Sequence, residues 1–176
     1  KTKNGEYLSP SGCQIPCFDE NINEQNIENL WLLTSEFSNF SDKLPDKSLL
    51  LDWARIVHGW EPLNENVSDI KLPLHKLIDR IEKCAFIDEL KKYLHDPPKV
   101  YEFLNRLYKF VEELQRLDIL DEKAIFPNQN NMLVIKSKLS KDEGIDEGLK
   151  DISKMLNRDI RSELLHTQII ELPKMQ

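Results

Sequence analysis

The chain has 176 residues, 40% of them hydrophobic and 31% charged, with a net charge of −7 from 31 acidic and 24 basic side chains. This composition suits a globular domain with a sizeable core and excludes wholesale disorder. An acidic surface repels phosphate backbones, so no nucleic-acid partner is expected, and no apolar run is long enough to span a membrane. Only five glycines occur, which leaves little material for a loop that must bring its backbone close to phosphate.

Residues 1–20 carry the breakers Asn4-Gly5, Ser9-Pro10-Ser11-Gly12 and Pro16 and read as an extended leading segment, with a short strand around Tyr7 and Leu8. A start at Lys1 instead of Met suggests a segment of a longer protein. Cys13, Cys17 and Cys84 cannot all pair within one chain, which favours a reducing, cytoplasmic home.

Helical periodicity begins near Ile22 and places Ile27, Leu30, Trp31 and Phe37 on one face. A second helix starts at Asp46 or Lys47. It carries Leu50, Trp53, Ala54, Val57 and Trp60 at helical spacing, and Gly59 with Pro62 marks its stop. The third stripe is Leu74, Leu77, Ile78, Ile81 and Ala85, continuing or bending through Phe86, Ile87, Leu90 and Leu94. Asp96-Pro97-Pro98 forces a fresh start. The fourth helix is the most regular: Val100, Phe103, Leu104, Leu107, Phe110, Val111, Leu114 and Leu117 form one apolar band.

After Asp121 the period changes from helix to strand. Residues 123–126 and 132–135 read as two strands joined by Pro127-Asn128-Gln129-Asn130-Asn131, since Asn accepts the left-handed dihedrals of hairpin turns and Pro127 belongs at an edge or an end. A lone hairpin is marginal, so it must pack on helices or join other strands. A helix with Ile145, Leu149, Ile152, Met155 and Leu156 follows, then a last one with Ile160, Leu164 and Leu165. The predicted fold is mainly α: a bundle of about four amphipathic helices, then a β-hairpin and two short helices as an α+β appendage. The predicted organisation is an extended segment over 1–20, the bundle over 21–118, and hairpin plus short helices over 119–176, packed together as one domain.

No constellation spells out a reaction. Cys13 and Cys17 would make half a zinc site, but no second pair accompanies them. His58-Gly59-Trp60-Glu61 could support acid–base work, yet it falls at a predicted helix end, where His and Gly have capping roles. The histidines His58, His75, His95 and His166 stand in no motif with a nucleophile. The acids near Asp118 and Asp142 lack the spacing of a calcium loop. No catalytic, cofactor or metal residue is therefore expected. The candidate partner contacts are Trp53 and Trp60, which would otherwise be core anchors, together with Asn128, Gln129 and Asn130.

The strings Ile125-Phe126-Pro127-Asn128-Gln129-Asn130, Ile145-Asp146-Glu147-x-Leu149-Lys150-Asp151-Ile152 and Asp159-Ile160-Arg161-x-x-Leu164-Leu165 resemble a region of bacterial heat-shock-protein-90-like ATPases distantly similar to sacsin. Leu44-Pro45-Asp46, leading to Trp53 and Trp60, fits the same pattern. The resemblance implies a parent protein that binds ATP and magnesium in a GHKL-type pocket lying outside these residues. The Asp-x-Gly-x-Gly segment and Gly-rich lid of that pocket do not occur here. The expected role is thus a non-catalytic structural or protein-interaction region of a chaperone-like ATPase, contacting other domains or a protein client. The rival expectations are a stand-alone helical scaffold or regulatory module in a bacterial complex, and a hydrolase using His58 and Glu61.

Overall fold

The computed structural model describes residues 5, 15–16, 24–38, 44, 46, 71–72 and 74–170. The second predicted helix, with Trp53 and Trp60, and the residues Cys13, Cys17, His58 and Glu61 lie outside them. The fold is mainly α with a small β-hairpin, as the periodicity predicts. Backbone contacts divide the chain into two units, one of Lys1–Leu77 with Tyr93–Asp96 and one of Ile78–Lys92 with Pro97–Gln176.

In the first unit, β1 (Ile15–Pro16) pairs in parallel with β2 (Lys71–Leu72), and α1 spans Glu24–Ser35. Leu30, Trp31 and Leu33 are buried along α1. Thr34 is also buried, which is tolerable because its hydroxyl donates to the Leu30 carbonyl at 2.8 Å. Just past the helix, Phe37 bridges to Leu94 in antiparallel fashion and stacks on Tyr93 with ring centroids 5.6 Å apart. The Ser38 amide donates to the Tyr93 carbonyl at 2.7 Å, and that of His95 to Glu36 at 3.0 Å.

Helix α2 (Leu74–Glu82) buries Leu74, Leu77, Ile78 and Ile81, the predicted stripe at i, i+3, i+4, i+7. It does not run on. It stops at Glu82, and α3 (Ile87–Lys91) is a separate helix burying Ile87 and Leu90. The reason lies in the interval. Ala85 accepts the Leu133 amide at 2.9 Å, Phe86 bridges to Met132, and the Ile87 amide donates to Asn131 at 2.9 Å. The break between helices is thereby used as a third extended segment beside the hairpin, the extra support a lone hairpin requires.

A 3₁₀ turn at Pro97–Lys99 leads into α4 (Val100–Glu113), which buries Val100, Phe103, Leu104, Leu107, Tyr108, Phe110 and Val111. Each of these side chains contributes roughly 1.5–3 kcal/mol by leaving water. Tyr108 stands outside the predicted apolar band yet is buried, because its hydroxyl donates to the Ile125 carbonyl at 2.6 Å. Burial pushes that phenol well above its ordinary pKa, so it stays a neutral donor. Gln115, at φ 56°, turns the chain out of α4, and the Arg116 amide reaches back to the Val111 carbonyl at 3.2 Å.

The hairpin is shorter than its predicted strands: β3 is Phe126–Pro127 and β4 is Leu133–Val134, antiparallel with Phe126 opposite Val134. Pro127 fits without loss because the Leu133 amide opposite it turns away to Ala85, so no ladder bond needs a proline N–H. Asn131 takes the left-handed turn position at φ 61°. Helix α5 spans Glu147–Met155, capped at its start by Asp146, whose carboxylate accepts the Gly148 and Leu149 amides. The expected last helix is only a 3₁₀ turn, Ile160–Glu163. Leu164 and Leu165 are instead extended and buried, bridging to Ser140 and Asn128.

Candidate interaction surface

The turn that carried the resemblance spends its polar groups inside its own unit. Asn128 is buried; its Oδ1 accepts the amides of Asn130 and Met132, both at 3.0 Å, and its Nδ2 donates to the Ser162 carbonyl at 3.0 Å. Gln129 Nε2 donates to Asp142 at 2.7 Å, and Asn130 Nδ2 to Asp159 at 3.0 Å. Asp142 precedes α5 and Asp159 follows it. The Asn-Gln-Asn string therefore ties the hairpin to both flanks of α5, a fastening role rather than a display of side chains to solvent.

Around Lys150 on α5 lies a polar network in which only the Glu147–Lys150 pair has helical spacing. Lys150 is only 2% exposed, and its ammonium donates to Asp142 at 2.5 Å and to Glu147 at 2.6 Å. Arg161 donates to Glu147 and to Asp151, each at 2.8 Å. The Ser153 hydroxyl accepts the Ile160 amide at 3.3 Å. The Lys150 ammonium, aided by Gln129 and the Ile145 amide, holds the Asp142 carboxyl well below the usual carboxylate range. Lys150 and Arg161 hold Glu147 down as well, while Asp142 and Glu147 raise Lys150. Buried charge is tolerable only when paired and hydrogen-bonded in this way.

The sign of the acid response follows. A carboxylate depressed in the folded state contributes stability that is present above its unfolded value, ordinarily 3.8 for Asp, and lost as pH falls through the folded value. Stability should therefore decline below about pH 4. Asp142→Asn should flatten that decline while lowering stability at neutral pH, as read by urea melts across pH 2–7, roughly the interval in which carboxylates titrate.

The consequence for α5 is that it is seated through Lys150, its one buried residue, while its apolar side is left uncovered. Leu149 is 59% exposed, Ile152 53%, Met155 82% and Leu156 73%. The predicted stripe exists, but it is uncovered. Exposed single leucines are unremarkable, but four large apolar side chains adjoining on one helix face form a continuous exposed apolar patch.

Elsewhere in this unit the polar constellations are structural. Tyr101 stacks on His166 with centroids 4.2 Å apart and donates to Asn131 Oδ1 at 2.6 Å, and burial lowers the His166 pKa. Lys123 bridges Asp79 and Glu82 at 2.8 Å each, and these bonds push its pKa up to about 12. Among the described residues, no three His, Cys, Asp or Glu side chains converge as a metal site, and no helix is long and apolar enough to cross a membrane. No family model, curated protein or solved structure matches this chain.

Proposed function

We propose that this chain is a non-catalytic protein-interaction region, and that α5 is its docking element. The observation that carries this reading is the inverted seating of α5, held inward by the buried Lys150 ammonium, with Leu149, Ile152, Met155 and Leu156 turned to solvent. A helix held by one buried, ion-paired lysine and presenting apolar side chains is arranged for a partner's surface, since such a face gains by being covered. The resemblance to heat-shock-protein-90-like ATPases supplies the proposed setting: a larger chaperone-like parent whose ATP and magnesium site lies outside these residues.

The test places a photo-reactive amino acid at Met155 in cells producing the protein. A covalent protein adduct is expected, and its loss on Leu149→Asp with Leu156→Asp would support the surface; no adduct would contradict the reading. Calorimetry with magnesium-ATP should give no binding heat from this chain, and measurable affinity would count against a non-catalytic region.

A further inference from the structure

The chain after Leu165 is fastened to the hairpin and to α4 by few and identifiable bonds. Leu164 and Leu165 are fixed upstream by their bridges to Ser140 and Asn128. The His166 amide then donates to the Pro127 carbonyl at 2.9 Å. The Ile169 amide returns to the His166 carbonyl at 3.0 Å, closing a turn over Thr167 and Gln168. Thr167 and Gln168 are exposed, whereas Ile169 is buried. Asn105 of α4 clamps the far end. Its Nδ2 donates to the Gln168 carbonyl at 2.9 Å, and its Oδ1 accepts the Ile170 amide at 3.1 Å.

His166 closes this turn with its own side chain. Its Nδ1 accepts the Gln168 amide at 3.2 Å, the bond that Asn or Asp supplies in an Asx turn. An amide donates only to a ring nitrogen that carries no proton, so the bond selects the neutral imidazole with its hydrogen on Nε2. Protonation sets an N–H against the Gln168 N–H, two donors with no acceptor between them. Bond and charge exclude one another. We infer that His166 to Ile170 is a pH-sensitive strap, closed while the imidazole is neutral and opened when it takes up a proton. The inference goes beyond the role of α5 and does not depend on it.

The surroundings offer the imidazolium little in return. Tyr101 of α4 covers one ring face, with centroids 4.2 Å apart and planes 12° from parallel, and its hydroxyl is spent on Asn131 of the hairpin turn. The pull of a tyrosine face on a cation is weak outside a dry site, less than the cost of opposing two donors. Pro127 of β3 meets His166 only through the carbonyl that its backbone amide already uses. Asp88 of α3 acts on the Tyr101 phenol and is itself paired with Lys91 at 2.8 Å. His166 forms no ion pair among the described residues, and burial lowers its pKa from the ordinary 6.5. A histidine depressed in this way keeps its contribution above the ordinary value and loses it as pH falls through the folded one.

Amide exchange in the 176-residue chain, resolved by NMR between about pH 7.5 and 5, tests this across the histidine range. After correction for intrinsic rates, protection at Gln168, Ile169 and Ile170 should fall by about tenfold or more, in step with the His166 ring signals. Protection at Leu107, in the core of α4, should not change over the same interval. His166→Asn keeps an acceptor that does not titrate, so its turn should stay protected at the acid end. His166→Ala, with no acceptor, should lack that protection throughout. A His166 that titrates at or above the ordinary value, or protection that stays constant while it titrates, would overturn the inference. So would an equal acid loss in His166→Asn, or full protection in His166→Ala. The profile of the unsubstituted chain decides the matter by itself if either variant fails to fold.

Discussion

Phe126→Ala should be among the most damaging single substitutions in the described part of the chain, costing about 3–5 kcal/mol, as deletion of a buried aromatic ring typically does. Phe126 is fully buried in β3 and stacks on Tyr108 with centroids 4.8 Å apart. Removing the ring leaves a cavity where hairpin meets α4, and it unpacks the neighbour whose hydroxyl anchors the Ile125 carbonyl. Urea denaturation should show the midpoint falling sharply with the slope unchanged. Tyr108→Phe keeps the ring stack but strands the Ile125 carbonyl, so its cost should be smaller, about 1–3 kcal/mol. A Phe126→Ala cost below about 1 kcal/mol would mean the ring is not in the core.

Asn128→Asp should destabilise by about 2–3 kcal/mol although the side chain barely changes shape. The carboxylate can still accept the Asn130 and Met132 amides. Its second oxygen, however, replaces the Nδ2 donor and confronts the Ser162 carbonyl, an acceptor facing an acceptor in a buried place. The loss should be relieved at low pH, where a protonated carboxyl can donate again. Asn128→Ala should be about as costly and should show no such relief, which separates the missing donor from the missing volume. Equal behaviour of the two variants across pH would contradict the assignment.

Much of the fold was legible because burial and period agree. The band from Val100 to Val111 in α4 and the stripe from Leu74 to Ile81 in α2 are buried as their spacing predicts. Tyr108 escaped the band because its partner, the Ile125 carbonyl, is 17 residues away. The bend after Glu82 was ambiguous for a similar reason: residues 85–87 are extended by the pairing offered by Asn131 and Leu133, not by local preference. Ile160, Leu164 and Leu165 have helical spacing, yet bridges to Ser140 and Asn128 hold the two leucines extended.

The candidate surface was legible only in part. Apolar spacing revealed the face of α5 but not its orientation. Whether such a stripe turns inward depends on what the opposite side binds, and Lys150 is drawn inward by Asp142 across a loop whose course the sequence does not state. Asn128, Gln129 and Asn130 stood out as a string, but a polar string reads the same whether it contacts a partner or fastens two segments. Their bonds to Ser162, Asp142 and Asp159 make them fasteners.

The inverted seating of α5 is tested most directly by competitive labelling of lysines with a trace amine reagent in the folded protein at high dilution, read by mass spectrometry. Lys154, exposed and without an ion pair among the described residues, should react at least about tenfold faster than Lys150, whose ammonium is enclosed by Asp142 and Glu147. Equal rates, or a faster Lys150, would show that Lys150 faces solvent and that α5 is not seated through it.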